Sequence, residues 1–297
     1  MKILLLGKNG QVGWELQRAL APLGEVIALD RAGKHGLCGD LTDLEGLRRT
    51  IFIVKPNIII NAAAYTAVDN AENDKVNTNI VNAQAPRVLA EEALKVGAWL
   101  VHYSTDYVFD GSGNNPWEEK DEPNPLSEYG RSKLEGERAI ENSGCKYLIF
   151  RTSWVFGSRG KNFAKTMLKL ASSRQTLSVI NDQIGAPTSA ALIADCTAHA
   201  VRQAFSNPNL AGIYHLVASG QTTWYEYTKF IINQAQALGK ELVTVELKPI
   251  TTAEYPTPAA RPHNSRLNTT KFRDSFDLVL PKWQQGVIRM LDEINCN

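Results

Sequence analysis

Two side chains four residues apart, Tyr129 and Lys133 in Tyr129-Gly-Arg-Ser-Lys133, make a proton-transfer unit if the segment around them is helical. The run from Ser127 to Ile140 reads as that helix. A repeat of 3.6 residues sets the phenol and the ammonium one turn apart on one face. A neighbouring positive charge favours the phenolate and draws a tyrosine pKa down from about 10 toward the range of a general acid or base. The same pair also occurs by chance on solvent-facing helices, so the elements that position it decide its weight.

The first of these is a glycine loop. Ile3-Leu-Leu-Leu6 is a short apolar run, the pattern of a strand buried on both faces of a parallel sheet, and it ends at Gly7. Gly7-Lys-Asn-Gly10-Gln-Val-Gly13 then opens an amphipathic helix from Val12 to Leu23. After Gly24 comes Val26-Ile-Ala-Leu-Asp30, a second strand closing on a carboxylate. Glycines let the backbone approach a pyrophosphate, whose charge rests on the free N–H groups of the helix N-terminus, while the acid binds ribose hydroxyls. Gly7, Asn9, Gly10, Gln11, Val12, Gly13, Asp30 and Arg31 are therefore candidate dinucleotide contacts. The spacing Gly-x-x-Gly-x-x-Gly departs from Gly-x-Gly-x-x-Gly. Arg31 beside Asp30 leaves NADPH and NADH both open, since Arg suits a 2′-phosphate and Asp a free hydroxyl.

Further along, a helical pattern from Leu44 to Val54 stops before Pro56, and Ile58-Ile-Ile60 is a strand closing on Asn61-Ala-Ala-Ala-Tyr65. A long helix is expected from Asn79 to Val96. Trp99 to Tyr103 is the next strand, ending in Ser104-Thr-Asp106, and Leu148 to Phe150 ends in Arg151-Thr-Ser-Trp154. Small and polar residues at strand carboxyl ends leave room for a ligand. This alternation predicts an α/β, doubly wound parallel sheet of Rossmann type. Residues 1–150 would form the dinucleotide-binding domain. Residues 151–297 would mainly form a smaller, discontinuous α/β substrate lobe, with segments near 190–217 returning to the first sheet.

Composition narrows the partners. Lys plus Arg at 32 against Asp plus Glu at 31, with no single-sign run, gives no footprint for nucleic acid or anionic membrane, so a small-molecule ligand is expected. Cys38, Cys145, Cys196 and Cys296 are scattered without metal-site or disulfide spacing, the pattern of reduced thiols in cytoplasm. The apolar start is too short for a signal peptide, and Lys55-Pro-Asn57 breaks the run from Ile51 to Tyr65, so no membrane span is expected.

Taken in order, Gly7-x-x-Gly10-x-x-Gly13, Asp40-Leu41 after a third strand, Asn61-Ala-Ala-Ala64, Ser104-Thr105 ending a fifth strand and Tyr129-x-x-x-Lys133 resemble the extended short-chain dehydrogenase/reductase family. Ala67 to Glu72, His102 to Gly111, Arg151 to Trp154, Asp182 to Thr188 and Arg261 to Asn268 extend the likeness to the family's nucleotide-sugar reductases. That resemblance implies reduction of the 4-keto group of dTDP-4-dehydro-6-deoxy-L-mannose to dTDP-L-rhamnose, a precursor of cell-surface polysaccharide, with NADPH or NADH as hydride source. Tyr129 would donate the proton, Lys133 would lower the tyrosine pKa and hold the nicotinamide ribose, and Thr105 would bond the keto oxygen, with Ser104 as competitor. Asp40, Leu41, Ala62, Ala63, Ala64, Tyr65 and Tyr103 join the cofactor contacts.

Substrate contacts are expected from Ser104, Thr105, Asp106, Trp154, Asn162, Gln183 and Arg261. An indole suits a sugar or base face, and a guanidinium suits diphosphate. Trp154 could instead fill the lobe interface, and Arg261 could be a solvated charge. His102 reads as a tautomer-fixed structural residue. Tyr107, where the related 4,6-dehydratases carry a second acid, disfavours elimination. The resemblance also implies a homodimer bridged by Mg²⁺ on Glu15 and Asp195, although Ala191 stands where a further glutamate would be expected. Two alternatives share the fold, a nucleotide-sugar 4-epimerase and a non-catalytic regulatory subunit.

Overall fold

Ile3–Leu6, Ile58–Ile60 and Leu148–Phe150 are buried on both faces of one sheet. The computed structural model describes residues 1–295. It gives β1 (Lys2–Leu6), β2 (Glu25–Leu29), β3 (Ile58–Asn61), β4 (Trp99–Thr105), β5 (Lys146–Thr152) and an edge strand at Gly212–His215. All run parallel, in the order Gly212–His215, β5, β4, β3, β1, β2. Because strand side chains alternate between faces, Ile3, Leu5, Ile58, Ile60, Leu148 and Phe150 enter one core, while Leu4, Leu6, Ile59 and Ile149 enter the other. Each such side chain contributes roughly 1.5–3 kcal/mol relative to exposure.

Helices cover both faces. The first core is closed by Gln11–Leu20 through Leu16 and Leu20, and by Ala190–Ser206 through Ile193, Ala194, Ala200 and Val201. The second is closed by Leu44–Val54 and Ala85–Val96. The expected helix from Asn79 begins earlier, at Lys75, and passes through a wider π turn at Ile80–Gln84. The strand expected before Asp40 does not form. Gly33, His35 and Gly36 all have positive φ, a conformation that no strand accommodates, and Lys34 and Leu37 close a tight turn instead. Ser104-Thr105 therefore ends the fourth strand of the chain, not the fifth.

Beyond β5, helices Phe163–Ala171, Trp224–Ala237 and Trp283–Asn295 pack around Phe156, Tyr227, Trp283 and Val287. A parallel pair, Thr176–Ile180 with Glu246–Ile250, flanks them. Among the described residues Cys38, Cys145 and Cys196 are free. Cys296 lies outside the described residues. No helix among the described residues is long and apolar enough to cross a membrane.

Candidate active site

β1 is flanked by β2 on one side and β3 on the other, so strand order reverses there, where an open parallel sheet leaves a crevice at its carboxyl ends. The glycine loop is built into that crevice. Gly7 takes φ +87°, its N–H donates to the Leu29 carbonyl at 2.9 Å, and a Cβ on it would press into the Ala62–Ala63 backbone. A Cβ on Gly13 would overlap the Gly7 carbonyl oxygen, so only glycine lets the helix sit this close under the loop. The Gln11–Leu20 helix has no side-chain cap and no acid in its first turn, which leaves its N-terminal N–H groups available to an anion. Asp30 accepts from Lys8 Nζ at 3.2 Å and Asn9 Nδ2 at 2.9 Å, and the Lys8 bond leads in holding its carboxyl below the usual range. Arg31 Nε donates to Asp40 at 3.0 Å.

A cleft of about 920 Å³ runs from this loop along the strand ends to Trp154 and Trp224. Gly7, Asn9, Gly10, Gln11, Val12, Asp30, Arg31, Asp40, Leu41, Ala62–Tyr65, Tyr103, Ser104, Thr105, Asp106, Tyr129, Lys133 and Trp154 all line it. Two buried hydroxyls in its wall, Ser104 Oγ and Thr152 Oγ1, have no hydrogen-bond partner within the protein. Such orphans are rare in a native interior and fit a site completed by a ligand. Together with the uncapped helix end and the missing Cβ atoms, they fit a dinucleotide. Thr152 was not singled out in the sequence, where it lies inside Arg151-Thr-Ser-Trp154.

The tyrosine helix, Glu128–Glu141, is fixed at several points. Ser127 Oγ caps it by accepting from Gly130 N–H at 3.2 Å, and Glu72 accepts the Glu128 N–H at 2.8 Å. Gly136 admits the Asn82 carbonyl against the helix. Asn82, in the π turn, accepts from Tyr65 N–H and donates to the Tyr65 carbonyl and Ser132 Oγ, tying the Ala62–Tyr65 stretch to this helix. From β5, Arg151 Nη2 reaches Glu137 at 2.6 Å with both side chains almost wholly buried, and its guanidinium lies 5.1 Å over the Phe109 ring.

The expected electrostatic link between Lys133 and Tyr129 is not made in this structure. Lys133 Nζ donates to the Tyr103 carbonyl at 2.6 Å and lies 3.0 Å from His102 Nε2. Burial pushes the Tyr129 phenol up to about 12, with Thr105 hydrogen bonding in the opposite sense and Asp106 adding to the rise. Burial pushes the Lys133 ammonium down to about 8, with Glu137 pulling it back up. Desolvation disfavours both charged forms and leads in both shifts. Thr105 Oγ1 donates to Asp106 Oδ1 at 3.2 Å and accepts the Tyr107 N–H.

Burial also raises the Asp106 carboxyl to about 7 from 3.8. A raised folded pKa means the folded chain holds this proton more tightly than the unfolded one. Stability is thus intact below about 4 and falls as pH rises through about 7. Asp106→Asn is expected to melt several degrees above the parent at pH 8 and alongside it at pH 4, as read by thermal denaturation.

Trp154 stands at φ +50°, rare for a bulky residue, and stacks on Trp224 with centroids 3.5 Å apart and planes 13° from parallel. Gly185 has no side chain because the Trp154 indole occupies that space. Trp224, which the sequence did not flag, also lines the cleft.

Gln183 does not line the cleft. It is buried, accepts from Trp224 Nε1 at 3.1 Å and donates to Thr252 Oγ1 at 3.1 Å, so both ends of its amide are spent on holding the indole and the loop. Asn162 caps the Phe163–Ala171 helix and donates to Gln11 Oε1 at 3.0 Å, meeting the glycine loop through another side chain. Arg261 lies outside the cleft wall, paired with Asp69 at 2.7 Å, and is not the solvated charge its proline-rich loop allowed. Gly13 sits beneath the loop.

Glu15 and Asp195 face the same cation, Arg18, at 3.5 and 2.8 Å. No group of three or more metal-ligating side chains occurs among the described residues, so the expected Mg²⁺ set finds no support within this chain.

Comparison with known proteins follows this geometry. The chain matches the model of the RmlD substrate binding domain over residues 1–296. It is 56% identical over 294 residues to a dTDP-4-dehydrorhamnose reductase of Escherichia coli, covering 99% of this chain and 98% of that one. It is 55% identical to one of Salmonella typhimurium with the same coverage. A solved dTDP-4-dehydrorhamnose reductase of Bacillus anthracis in complex with NADP superposes with a TM-score of 0.87 at 35% identity, over 99% of this chain and 100% of that one. The family match over residues 1–296 and the 55–56% identity along nearly the whole length place this chain in the RmlD substrate binding domain family.

Proposed function

We propose that this chain reduces the 4-keto group of dTDP-4-dehydro-6-deoxy-L-mannose, giving dTDP-L-rhamnose. The observation that carries the reading is that Thr105, Tyr129 and Lys133 share one cleft wall with an uncapped, glycine-opened helix N-terminus, in a chain more than half identical to dTDP-4-dehydrorhamnose reductases. NADPH or NADH, when bound, would supply hydride for C4. Tyr129, protonated at neutral pH, delivers the proton to the developing alkoxide, and Thr105 donates a hydrogen bond to the same oxygen. Lys133 would hold the nicotinamide ribose, and Ser104 and Thr152 offer hydroxyls that lack partners in the protein. Asp106 and the Trp154–Trp224 stack bound the sugar end. Arg261 engages a diphosphate only by exchanging Asp69 for it. No step is assigned to Mg²⁺.

The test is to mix the purified chain with the keto sugar and each reduced cofactor and follow loss of the nicotinamide absorbance. Stoichiometric oxidation with formation of dTDP-L-rhamnose is expected. Sugar interconversion without net oxidation would make it an epimerase, and no turnover with either cofactor would leave the non-catalytic reading.

A further inference from the structure

Behind Lys133 lies a buried chain of hydrogen-bonding groups with one proton too many. Asn61 ends β3, His102 lies on β4, and Lys133 lies on the helix above them, and each is about 1% exposed. The Ala63 N–H donates to Asn61 Oδ1 at 3.2 Å, Asn61 Nδ2 lies 3.2 Å from His102 Nδ1, and His102 Nε2 lies 3.0 Å from Lys133 Nζ. A neutral imidazole carries one donor and one acceptor. With the Asn61 amide in this sense, Nδ1 must accept, the ring proton is on Nε2, and Lys133 can receive it only as a free amine. Turning the Asn61 amide over reverses every bond. Asn61 Oδ1 then accepts from Nδ1–H, Nε2 accepts from a Lys133 ammonium, and the Ala63 N–H is released.

We propose that His102 is a positioning residue for Lys133, and that its tautomer and the Asn61 amide switch together with the protonation state of that lysine. One proton separates the two arrangements. It leaves to solvent as the amine forms, and the ring proton moves from Nδ1 to Nε2. Ala63 is in the wall of the cofactor cleft, so a bound acceptor that takes its N–H favours the ammonium arrangement. In either arrangement the Tyr103 carbonyl accepts from Lys133, which keeps the nitrogen in place while its charge changes.

The surrounding charges permit the switch. Tyr129 and Glu137 flank Lys133 one turn away on its own helix, Glu137 is engaged by Arg151 from β5, and β4 presents His102 and the Tyr103 carbonyl. β3 presents the uncharged Asn61. Burial and the Lys133 charge hold His102 well below its usual range, so the ring stays neutral, and Lys133 titrates near 8.

The functional meaning of the switch rests on the reductase reading, but its first test does not. Long-range ¹H–¹⁵N spectra of the His102 ring in the cofactor-free full chain, taken from about pH 6 to about pH 10, should show the protonated nitrogen change from Nδ1 to Nε2. The change should vanish in Lys133→Met. A tautomer that stays constant across the range overturns the proposal.

In the second test, His102→Gln presents a carboxamide oxygen to Lys133 as a permanent acceptor. The alkaline limb of kcat should move upward by about one pH unit, a tenfold change in the lysine dissociation constant. A fall in kcat with the limb unmoved would make His102 a packing residue only and also overturns the proposal. If the parent chain shows no turnover, the reductase reading fails while the spectra still decide the switch. If His102→Gln does not fold, the spectra of the parent decide alone.

Discussion

Tyr129→Phe is expected to lower kcat by roughly 10²–10⁴-fold while leaving the dissociation constant for NADPH nearly unchanged. The side chain is half-buried in the cleft wall, and its ring meets the Tyr107 ring edge-on with centroids 5.6 Å apart. Phenylalanine keeps that contact and the volume, so the variant loses one hydroxyl and little else. With the phenol near 12, the residue is fully protonated at working pH, the state an acid must hold before the reaction. What remains after substitution is the hydride geometry and the Thr105 hydroxyl, with water as the proton source. Steady-state turnover alongside cofactor titration by fluorescence checks both halves. Unchanged turnover would remove Tyr129 from the role of acid.

The second large effect concerns stability. Arg151→Met removes one partner of an ion pair in which Arg151 and Glu137 are 3% and 0% exposed, leaving a carboxylate buried between β5 and the tyrosine helix. Breaking such a pair costs about 3–5 kcal/mol, because the remaining charge has neither water nor a counter-ion. At about 2–4 °C per kcal/mol, Tm should fall by roughly 6–20 °C. Replacing both partners, Glu137→Leu with Arg151→Met, removes the stranded charge and should recover most of the loss. Calorimetry of the single and double variants decides it. A double variant as unstable as the single would show that the cost lies in packing, since Arg151 also covers the Phe109 ring.

What the sequence disclosed and what it hid divide along chain distance. Strands buried on both faces announce themselves as short apolar runs, and the glycine loop and the Tyr129–Lys133 spacing are local patterns, so the parallel sheet and the place of the cleft were legible. The segment before Asp40 misled because the family order supplied a strand that Gly33, His35 and Gly36 refuse. Buried polar partners were out of reach. Gln183 takes its role from Trp224 and Thr252, Arg261 pairs with Asp69, and Lys133 meets His102, each brought together only by the fold. Nothing in a local window shows that Lys133 would face a ring nitrogen and a carbonyl more closely than the tyrosine one turn away. Asn82 carried a faint signal as a polar residue in a helix otherwise apolar on its inner side, but its clamp on Tyr65 requires the π turn.

The placement of Gly212–His215 at the sheet edge, and of Ala190–Ser206 over Leu16 and Leu20, has a consequence for the order of synthesis. When β5 has emerged from a ribosome, its outer edge has no neighbour and one face of the sheet is covered only by Gln11–Leu20. The chain must then make some forty further residues, including Phe163–Ala171 and Thr176–Ile180, before the missing helix and strand arrive. During that interval an open strand edge and an apolar face stand ready to pair with other chains. The first half of this protein therefore waits for the second, and nascent chains stalled between Thr152 and Gly212 are the form most exposed to aggregation.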